Sequence, residues 1–174
     1  MGGTMSDLSA RIEAEIPRLR RYARTLARPP MSPDDLVQDC IVRALSATHP
    51  CEDGTDLRAW LFTIMHNQFV NEIRRKTRQR TTAPVNGDEP SLVCPPAQPH
   101  RLELRDVHWA LGQLSEEHRA VVLLIGLEGM SYEAAAKVLG TAKGTVRSRL
   151  SRGRARLRHL MGVGYGGART ELAA

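Results

Sequence analysis

The residues best suited to bind a partner are basic and crowd into one stretch near the C-terminal end. Between Lys137 and Leu160 the chain carries eight lysines or arginines and no aspartate or glutamate. A solvated helix normally interleaves both signs, so this stretch indicates a polyanionic partner. The whole chain agrees, with 25 Lys or Arg against 19 Asp or Glu and a net charge of +6. Nucleic acid is the first class of partner to consider, and an anionic membrane surface the second.

A second charged cluster has the opposite sign. Asp34, Asp35 and Asp39 closely follow Ser32-Pro33. Ser32 is a suitable N-cap, and carboxylates in the first turn stabilise the positive end of a helix. Capping accounts for the first two aspartates but not for Asp39, which lies in the second turn.

Residue patterns for catalysis and metal binding do not appear in the sequence. Three cysteines are too few and too scattered for a disulfide scaffold, which favours a reducing cytosol. Cys51, Cys94, His49 and His100 lack the spacing of a zinc site. The GxGxxG pattern at Gly162–Gly167 follows no strand, so it does not predict dinucleotide binding. We therefore expect no enzyme activity, no metal and no cofactor.

The acidic cluster belongs to the second of three predicted helices. The first carries an apolar stripe from Ile12 to Leu26 and ends before Pro29-Pro30, because a residue that precedes proline avoids the α region. The second starts at Pro33 and places Cys40 on its buried face. A loop follows over Thr48–Thr55, and the third helix runs from about Asp56 to Arg80. Trp60 has the spacing of a core residue on that helix.

A change of composition separates these helices from a second helical block. Residues 81–100 contain five prolines and little periodicity, which predicts an extended linker. A helix then begins near Leu102. The next is capped at Ser115, runs through the apolar residues up to Leu127 and stops near Gly129.

The basic stretch itself reads as helix, glycine turn, helix. Ser131 caps a short helix, Gly140 ends it in a left-handed conformation, and a further helix runs from Thr145 to about Met161. This is a helix-turn-helix pattern, whose second helix can enter the major groove of DNA.

Helical spacing divides the residues of that second helix between two faces. A seam for packing contains Val146, Leu150, Gly153 and Leu157. The residues that point away from it are Arg147, Ser148, Ser151 and Arg152. Gly153 is expected to weaken the helix by up to about 1 kcal/mol relative to alanine.

These patterns predict an all-α protein of two small helical domains joined by a Pro-rich linker. The expected division is a first domain over residues 1–80, a linker over 81–101, a second domain over 102–162 and a tail over 163–174. No apolar run approaches the 20 residues of a membrane span, and no signal peptide is apparent.

Several motifs together resemble a known family. Residues Asp34–Leu45 are similar to the helix by which bacterial sigma factors bind core RNA polymerase, called region 2.2. Residues Leu57–Asn67 resemble regions 2.3 and 2.4. The segments Leu114–Val121, Gly129–Ala136 and Gly144–Arg152 resemble region 4. With only these two regions, the chain resembles an extracytoplasmic-function (ECF, group IV) sigma factor.

The resemblance implies a docking surface for the polymerase. The family's acidic helix binds a basic coiled coil of the β′ subunit, and region 4 also meets the β flap. The matching positions on this chain are Asp34, Asp35, Gln38, Asp39 and Arg43. Charge pairing there would steer the encounter and fix its register.

The resemblance also implies two DNA-reading sites. The −10 element is melted and its flipped bases are captured by the loop Thr48–Thr55 and a neighbouring helix. The helix positions expected to contact that element are His66, Asn67, Asn71, Arg74 and Arg75. The −35 element is read as duplex by Lys143, Thr145, Arg147, Ser148, Ser151 and Arg152.

Two other functions remain open at the level of sequence. A sigma mimic would sequester an anti-sigma factor without binding DNA; such proteins typically carry a receiver domain and lack the basic face that this sequence keeps. A plain helix-turn-helix repressor would leave the acidic helix and the linker unexplained. We expect a cytoplasmic, nucleoid-associated bacterial sigma factor with an anti-sigma partner.

Overall fold

Eight helical segments make up the part of the protein that the computed structural model describes, residues 5–29, 31–47, 56–81 and 99–162. The N-terminal half contributes α1 (Met5–Leu26), α2 (Pro33–Leu45) and α3 (Leu57–Thr81). The C-terminal half contributes α4 (Pro99–Gly112), α5 (Glu116–Val122), a π-helical turn (Leu123–Leu127), α6 (Tyr132–Val138) and α7 (Lys143–Leu160). No strand occurs within those ranges, and the all-α prediction is confirmed.

The three N-terminal helices pack around an apolar interior. Ser32 caps α2 as predicted, since its Oγ accepts a hydrogen bond from the backbone N–H of Asp35 at 3.3 Å. Cys40 is completely buried, with its Sγ 3.4 Å from the carbonyl oxygen of Leu61. Burial raises the pKa of this thiol to about 12, so the thiolate required for redox chemistry is disfavoured.

Aromatic residues complete that interior. Trp60 is partly buried and packs against it, in agreement with the predicted core role. Tyr22, which the apolar stripe of α1 did not include, is completely buried. Its ring lies 5.1 Å from that of Phe62, centroid to centroid, within the range of favourable aromatic pairs.

The C-terminal half follows its predicted start and stop signals closely. The Oγ atoms of Ser115 and Ser131 accept hydrogen bonds from the N–H groups of His118 and Ala134, and so cap α5 and α6. Gly140 has a φ of +58° and ends α6 in the left-handed conformation. The second helix of the motif begins at Lys143, slightly earlier than expected.

The apolar segment after α5 departs from the single α-helix that the sequence predicts. From Leu123 to Leu127 the chain winds as a π-helix, and the N–H of Glu128 donates to the carbonyl oxygen of Leu123 at 3.0 Å. Gly129, with a φ of +65°, then reverses the chain towards α6. A π-helical turn within an α-helix is uncommon and often marks a functional position.

Gly153 corrects an expectation. A Cβ atom at this position would lie 2.8 Å from Cγ2 of Val122 and 3.4 Å from the backbone oxygen of His118. The glycine therefore allows α7 to cross α5 at close range. Its cost in helix propensity is offset by this close packing, so it does not weaken the motif.

The two halves lie against each other and share one continuous interior. Residues of α1 and α3 join residues of α5, the π-helical turn and α6 in a single buried cluster. The main junctions are α3 against α6 and α1 against the π-helical turn. Sequence reasoning predicted two domains but not how they are arranged.

Some predicted features lie outside the described residues. These include the loop at residues 48–55, most of the linker, the tail from residue 163, and the side chains of Cys51 and Cys94. None of the described helices combines the length and apolar character needed to cross a membrane.

Candidate nucleic-acid interface

The helix α7 is held by contacts on one side only. Val146 and Leu150 are buried against α5 and α6, and Gly153 lies under α5. The opposite side carries the predicted contact residues, all of them exposed except the partly buried Thr145: Lys143, Arg147, Ser148, Ser151 and Arg152. The structure therefore brings the predicted −35 set onto one continuous face, which we call the α7 face.

Electrostatics favour an anion along this face. A shallow trough of about 730 Å³ is lined by Arg147, Ser148, Ser151, Arg154 and Arg158 among others. No ion pair between described side chains involves Arg147 or Arg152. Their guanidinium groups are therefore available to phosphates or to base edges.

Two other basic residues of α7 are engaged within the protein. Lys143 pairs with Glu133, which lowers the pKa of that carboxylate through a hydrogen bond. Arg149 pairs with Glu117 at 2.8 Å. Arg149 thus faces away from the α7 face, towards the N-terminal half.

The acidic surface of α2 is accessible as well. Its predicted polymerase-binding residues are all exposed: Asp34, Asp35, Gln38, Asp39 and Arg43. Two apolar side chains accompany them, Val42 with 62% of its surface exposed and Leu45 with 40%. Together these two side chains add an apolar component to the acidic surface.

The predicted −10 residues lie on α3. Asn67, Asn71, Arg74 and Arg75 are exposed, whereas His66 is partly buried. Arg75 is held by two hydrogen bonds to the carboxylate of Glu72, at 2.9 and 2.7 Å. Arg75, which the sequence predicts to contact the −10 element, is therefore engaged in an ion pair within its own helix.

The C-terminal half forms the second wall of a crevice over these residues. His66, Asn67, Asn71 and Arg74 line it from α3. The facing wall is formed by residues of α5, α7 and the glycine turn: Glu116, Glu117, Leu139, Gly140, Thr141 and Arg149. The crevice has a volume of about 630 Å³. The structure thus brings the two predicted DNA-reading halves face to face.

His66 reports how closely the halves approach. Burial, and secondarily the charge of Arg149, lowers the pKa of its imidazole to about 4. Its Nδ1 atom is buried without a hydrogen-bond partner. The ring is therefore neutral near pH 7 in this arrangement.

One carboxylate connects the halves. The side chain of Glu128, just after the π-helical turn, is completely buried. Arg21 of α1 donates from Nε and Nη2 to its two oxygens, both at 3.0 Å. Arg58 of α3 donates to the same carboxylate at 3.2 Å and also to the backbone oxygen of Glu128. These bonds raise the pKa of Arg21.

Other polar groups at this junction are not satisfied. Arg119 is 2% exposed, and its Nε and Nη1 atoms have no hydrogen-bond partner. Burial and the nearby charge of Arg28 lower its pKa to about 10. The hydroxyl of Tyr22 is also buried and unpartnered, and burial raises its pKa. Unsatisfied buried groups cost free energy, so the junction combines one strong contact with several unfavourable ones.

Sequence reasoning missed the residues of this junction. Glu128 offers one weak signal, an acidic residue at the end of an apolar run. Arg21 and Arg58 look like ordinary surface arginines, because their partner lies far away in the sequence. Arg119 looks the same, because nothing near it in the sequence indicates its burial.

Comparison with protein families divides the chain in the same way. Residues 12–66 match the family described as the Sigma2 domain of PhyR. Residues 104–157 match the family Sigma-70, region 4. The second match spans the whole helix-turn-helix and most of α4 and α7.

Individual proteins resemble the chain over most of its length. The ECF RNA polymerase sigma factor EcfG of Rhodopseudomonas palustris is 37% identical over 152 residues, which cover 87% of this chain and 83% of that protein. The sigma factor RpoE of Bartonella quintana, solved in complex with the anti-sigma factor NepR, is 36% identical with a TM-score of 0.78. That match covers 91% of this chain and 99% of RpoE.

A more distant structure shares the fold. The anti-anti-sigma factor PhyR of Bartonella quintana, solved with the anti-sigma factor NepR, has a TM-score of 0.57 and 18% identity. The match covers 87% of this chain and 49% of PhyR.

Proposed function

The chain belongs to the ECF RNA polymerase sigma factors, and from that premise we propose that it directs core RNA polymerase to promoters with a −35 and a −10 element and assists their melting. The observation that carries this proposal is the α7 face on the second helix of the helix-turn-helix. Its arginines Arg147 and Arg152 have no ion-pair partner among the described side chains, and no acidic residue lies between them. Proteins of this family are transcription initiation factors rather than enzymes.

Reading of the −35 element falls to the α7 face. An α-helix fits the major groove, where arginine can bind guanine through two hydrogen bonds. Arg147 and Arg152 are the residues best placed for base edges or phosphates, with Ser148 and Ser151 between them. Lys143 and Thr145 lie at the helix N-terminus, where backbone N–H groups also favour a phosphate.

Binding of the polymerase falls to the acidic surface of α2. Its carboxylates are exposed and flanked by the apolar side chains of Val42 and Leu45. A basic coiled coil of the β′ subunit would meet both components, charge for steering and apolar area for affinity. We place Asp34, Asp35, Gln38, Asp39 and Arg43 in this contact, and the β flap against region 4.

Capture of the −10 strand falls to α3. Asn67 and Asn71 present amides that can pair with a base edge, and His66 lies beside them. Arg74 is suited to a backbone phosphate. Arg75 could join it only by exchanging its bonds to Glu72 for a phosphate. Binding energy from captured bases would offset the cost of unpairing.

An anti-sigma factor is a further proposed partner. RpoE of Bartonella quintana, which is similar over nearly its whole length, is solved with NepR. We propose that this chain is held inactive by a protein of that kind. Action on the chromosome would place it in the bacterial cytoplasm, at the nucleoid.

A sigma mimic is the second candidate, and one observation favours it. Residues 12–66 match the Sigma2 domain of PhyR, and PhyR is an anti-anti-sigma factor. Against it, identity to a sigma factor is 37% over most of the chain, whereas identity to PhyR is 18%. The basic α7 face would have no purpose in a protein that does not bind DNA.

The decisive experiment is transcription from genomic DNA with purified bacterial core polymerase and this protein, followed by sequencing of the transcripts. New start sites that share −35 and −10 elements are the expected result. Asn67→Ala should then impair open-complex formation more than closed-complex binding, as followed by permanganate reactivity of unpaired thymines. A folded protein that yields no new start sites but binds an anti-sigma factor would establish the mimic instead.

A further inference from the structure

We propose that Glu128 is an intramolecular latch, which holds the chain closed between rounds of promoter use and keeps the −10-binding residues of α3 in the crevice against the C-terminal half. The proposal rests on the proposed function, since it concerns access to the same surface. It begins from the junction between the two halves, where one buried carboxylate binds an arginine from each of two N-terminal helices.

The geometry of this junction is that of a specific clamp. Arg21 approaches the carboxylate with two parallel hydrogen bonds of 3.0 Å, the arrangement that gives arginine–carboxylate pairs their directional strength. Arg58 adds a third bond at 3.2 Å and stacks over the ring of Phe62, with its Cζ atom 5.9 Å from the centroid. Glu128 thereby ties the end of the π-helical turn to both α1 and α3.

The same junction is poised to open. Nε and Nη1 of Arg119, the hydroxyl of Tyr22 and Nδ1 of His66 are covered yet have no hydrogen-bond partner. They would regain water if the halves separated, which lowers the free-energy difference between closed and open forms. These atoms are themselves covered, so no ligand can satisfy them while the chain stays closed.

Promoter geometry requires the open form. By their names the two elements lie about 25 base pairs apart, which is about 85 Å of duplex at 3.4 Å per base pair. In the closed chain Asn67 and Arg149, from the two reading halves, line one crevice of about 630 Å³. The closed chain can therefore present the α7 face but cannot occupy both elements at once.

Opening would be driven by partners that bind only the open form. A ligand shifts such an equilibrium by its differential affinity for the two states. The melted −10 strand is a ligand of this kind because it needs α3. Core polymerase is another, because its proposed contacts on α2 and on region 4 need the separated halves. Arg21 has half of its side chain exposed, so the clamp can also be loosened from outside.

The conformational test is small-angle X-ray scattering on the full chain. We compare the wild type with Glu128→Gln, with Arg21→Gln and with Arg21→Gln/Arg58→Gln; Asp7→Asn serves as control, because it removes a carboxylate from an exposed ion pair on α1. The latch variants should show a radius of gyration several ångströms larger than the wild type, while the control should not. Combining Glu128→Gln with Arg21→Gln should add little beyond the single change.

Arg21→Gln keeps the test decisive if Glu128→Gln fails to fold, because its side chain is half exposed and circular dichroism can confirm its helices. A wild type that is already extended, or folded variants that stay as small as the wild type, would overturn the latch.

The functional arm measures affinity for purified core polymerase. The latch variants should bind about tenfold more tightly than the wild type, equivalent to ~1.4 kcal/mol. If they open and bind core, but no more tightly than the wild type does, the latch does not restrain function and the proposal is wrong. If no variant binds core although scattering shows opening, the proposed function fails while the latch stands.

Discussion

The α7 face and the α3 surface are both proposed to bind promoter DNA, yet they differ in how open they are to a ligand. On the α7 face, Arg147 and Arg152 are exposed and have no ion-pair partner among the described side chains, and Arg147 lines an open trough. On α3, His66 is partly buried, and with Asn67, Asn71 and Arg74 it lines a crevice whose other wall is the C-terminal half. The first surface is open, whereas the second is confined by the other half of the protein.

The proposed function accounts for this difference, since one surface would bind duplex DNA and the other unpaired bases. The −35 element is recognised as duplex DNA, so a helix that binds it can stay exposed before melting. Unpaired bases exist only after melting, and an exposed surface for them would bind any single strand. On the proposed function, confining the α3 surface until the polymerase and promoter are engaged would restrict that non-specific binding.

Removing the two arginines of the α7 face should have the largest effect on promoter binding. Arg147→Ala with Arg152→Ala deletes two contacts, each worth about 1–3 kcal/mol at a base, so binding to a −35 duplex should weaken about a thousandfold. Fluorescence anisotropy with a promoter identified by transcription provides the measurement. Arg156→Ala is the matched control, since it removes an exposed arginine of α7 that is outside the predicted −35 set. Unchanged promoter choice in the double variant would refute the role of the α7 face.

Reversing charge on α2 should have the next largest effect and leave both DNA surfaces intact. Asp35→Arg with Asp39→Arg turns attraction into repulsion at the polymerase, and affinity for core should fall about a hundredfold. Asp7→Arg with Glu13→Arg, on exposed positions of α1, is the control. Equal loss of core affinity in the two double variants would indicate net charge rather than a docking surface.

Acid should open the covered surface without any substitution. The pKa of His66 is about 4 in the closed chain because burial and Arg149 disfavour the imidazolium, and opening returns it towards 6.5. A pKa lowered in the closed form means that closure is favoured above pH 6.5 and is lost as the pH falls from there towards 4. Between pH 7.5 and 5.5 the closed-to-open ratio should fall about tenfold.

Scattering at the two pH values measures that ratio, with His66→Asn as the variant in which the change should be much smaller. The charged groups that face His66 across the crevice are Glu116 and Glu117 of α5 and Arg149 of α7, and Arg74 lines the same wall as His66. An equal response in both proteins would assign the effect to those groups instead.

A single added methyl group should have the smallest effect, and it should change only the stability of the C-terminal half, which carries the α7 face. Gly153→Ala forces Val122 away from α7, which we expect to destabilise the C-terminal half by about 1 kcal/mol after the gain in helix propensity. Urea unfolding followed by circular dichroism measures this, and Gly144→Ala, where nothing lies within 4 Å of the new atom, is the control. A stabilised Gly153→Ala protein would show that the close crossing is not required.

Structural features that depend only on residues close together in the sequence could be predicted. The caps Ser32, Ser115 and Ser131 and the left-handed Gly140 each depend on hydrogen bonds within a few positions. The exposed side of α7 follows from the 100° turn per residue. For that reason the helices, the motif and the exposure of the −35 set were accessible before the structure.

Features that depend on distant residues could not be predicted. Arg21 and Glu128 are 107 positions apart, and neither shows locally that it will be paired. The burial of His66 and Arg119 likewise depends on how two separate helical blocks meet. Gly153 was misjudged for the same reason, since propensity describes one helix and its neighbour Val122 belongs to another.

The π-helical turn makes the direction of the Glu128 side chain depend on the number of residues that precede it. A π turn contains one residue more than an α turn, so everything after it is advanced by one place, about 100° around the helix axis. Glu128 is the first residue beyond that insertion. Deleting one residue there, such as the exposed Gly126, would restore α-helical winding and rotate the carboxylate away from both arginines without altering a single charge. In this protein the phase of a helix, counted in whole residues, decides whether its two halves can recognise each other.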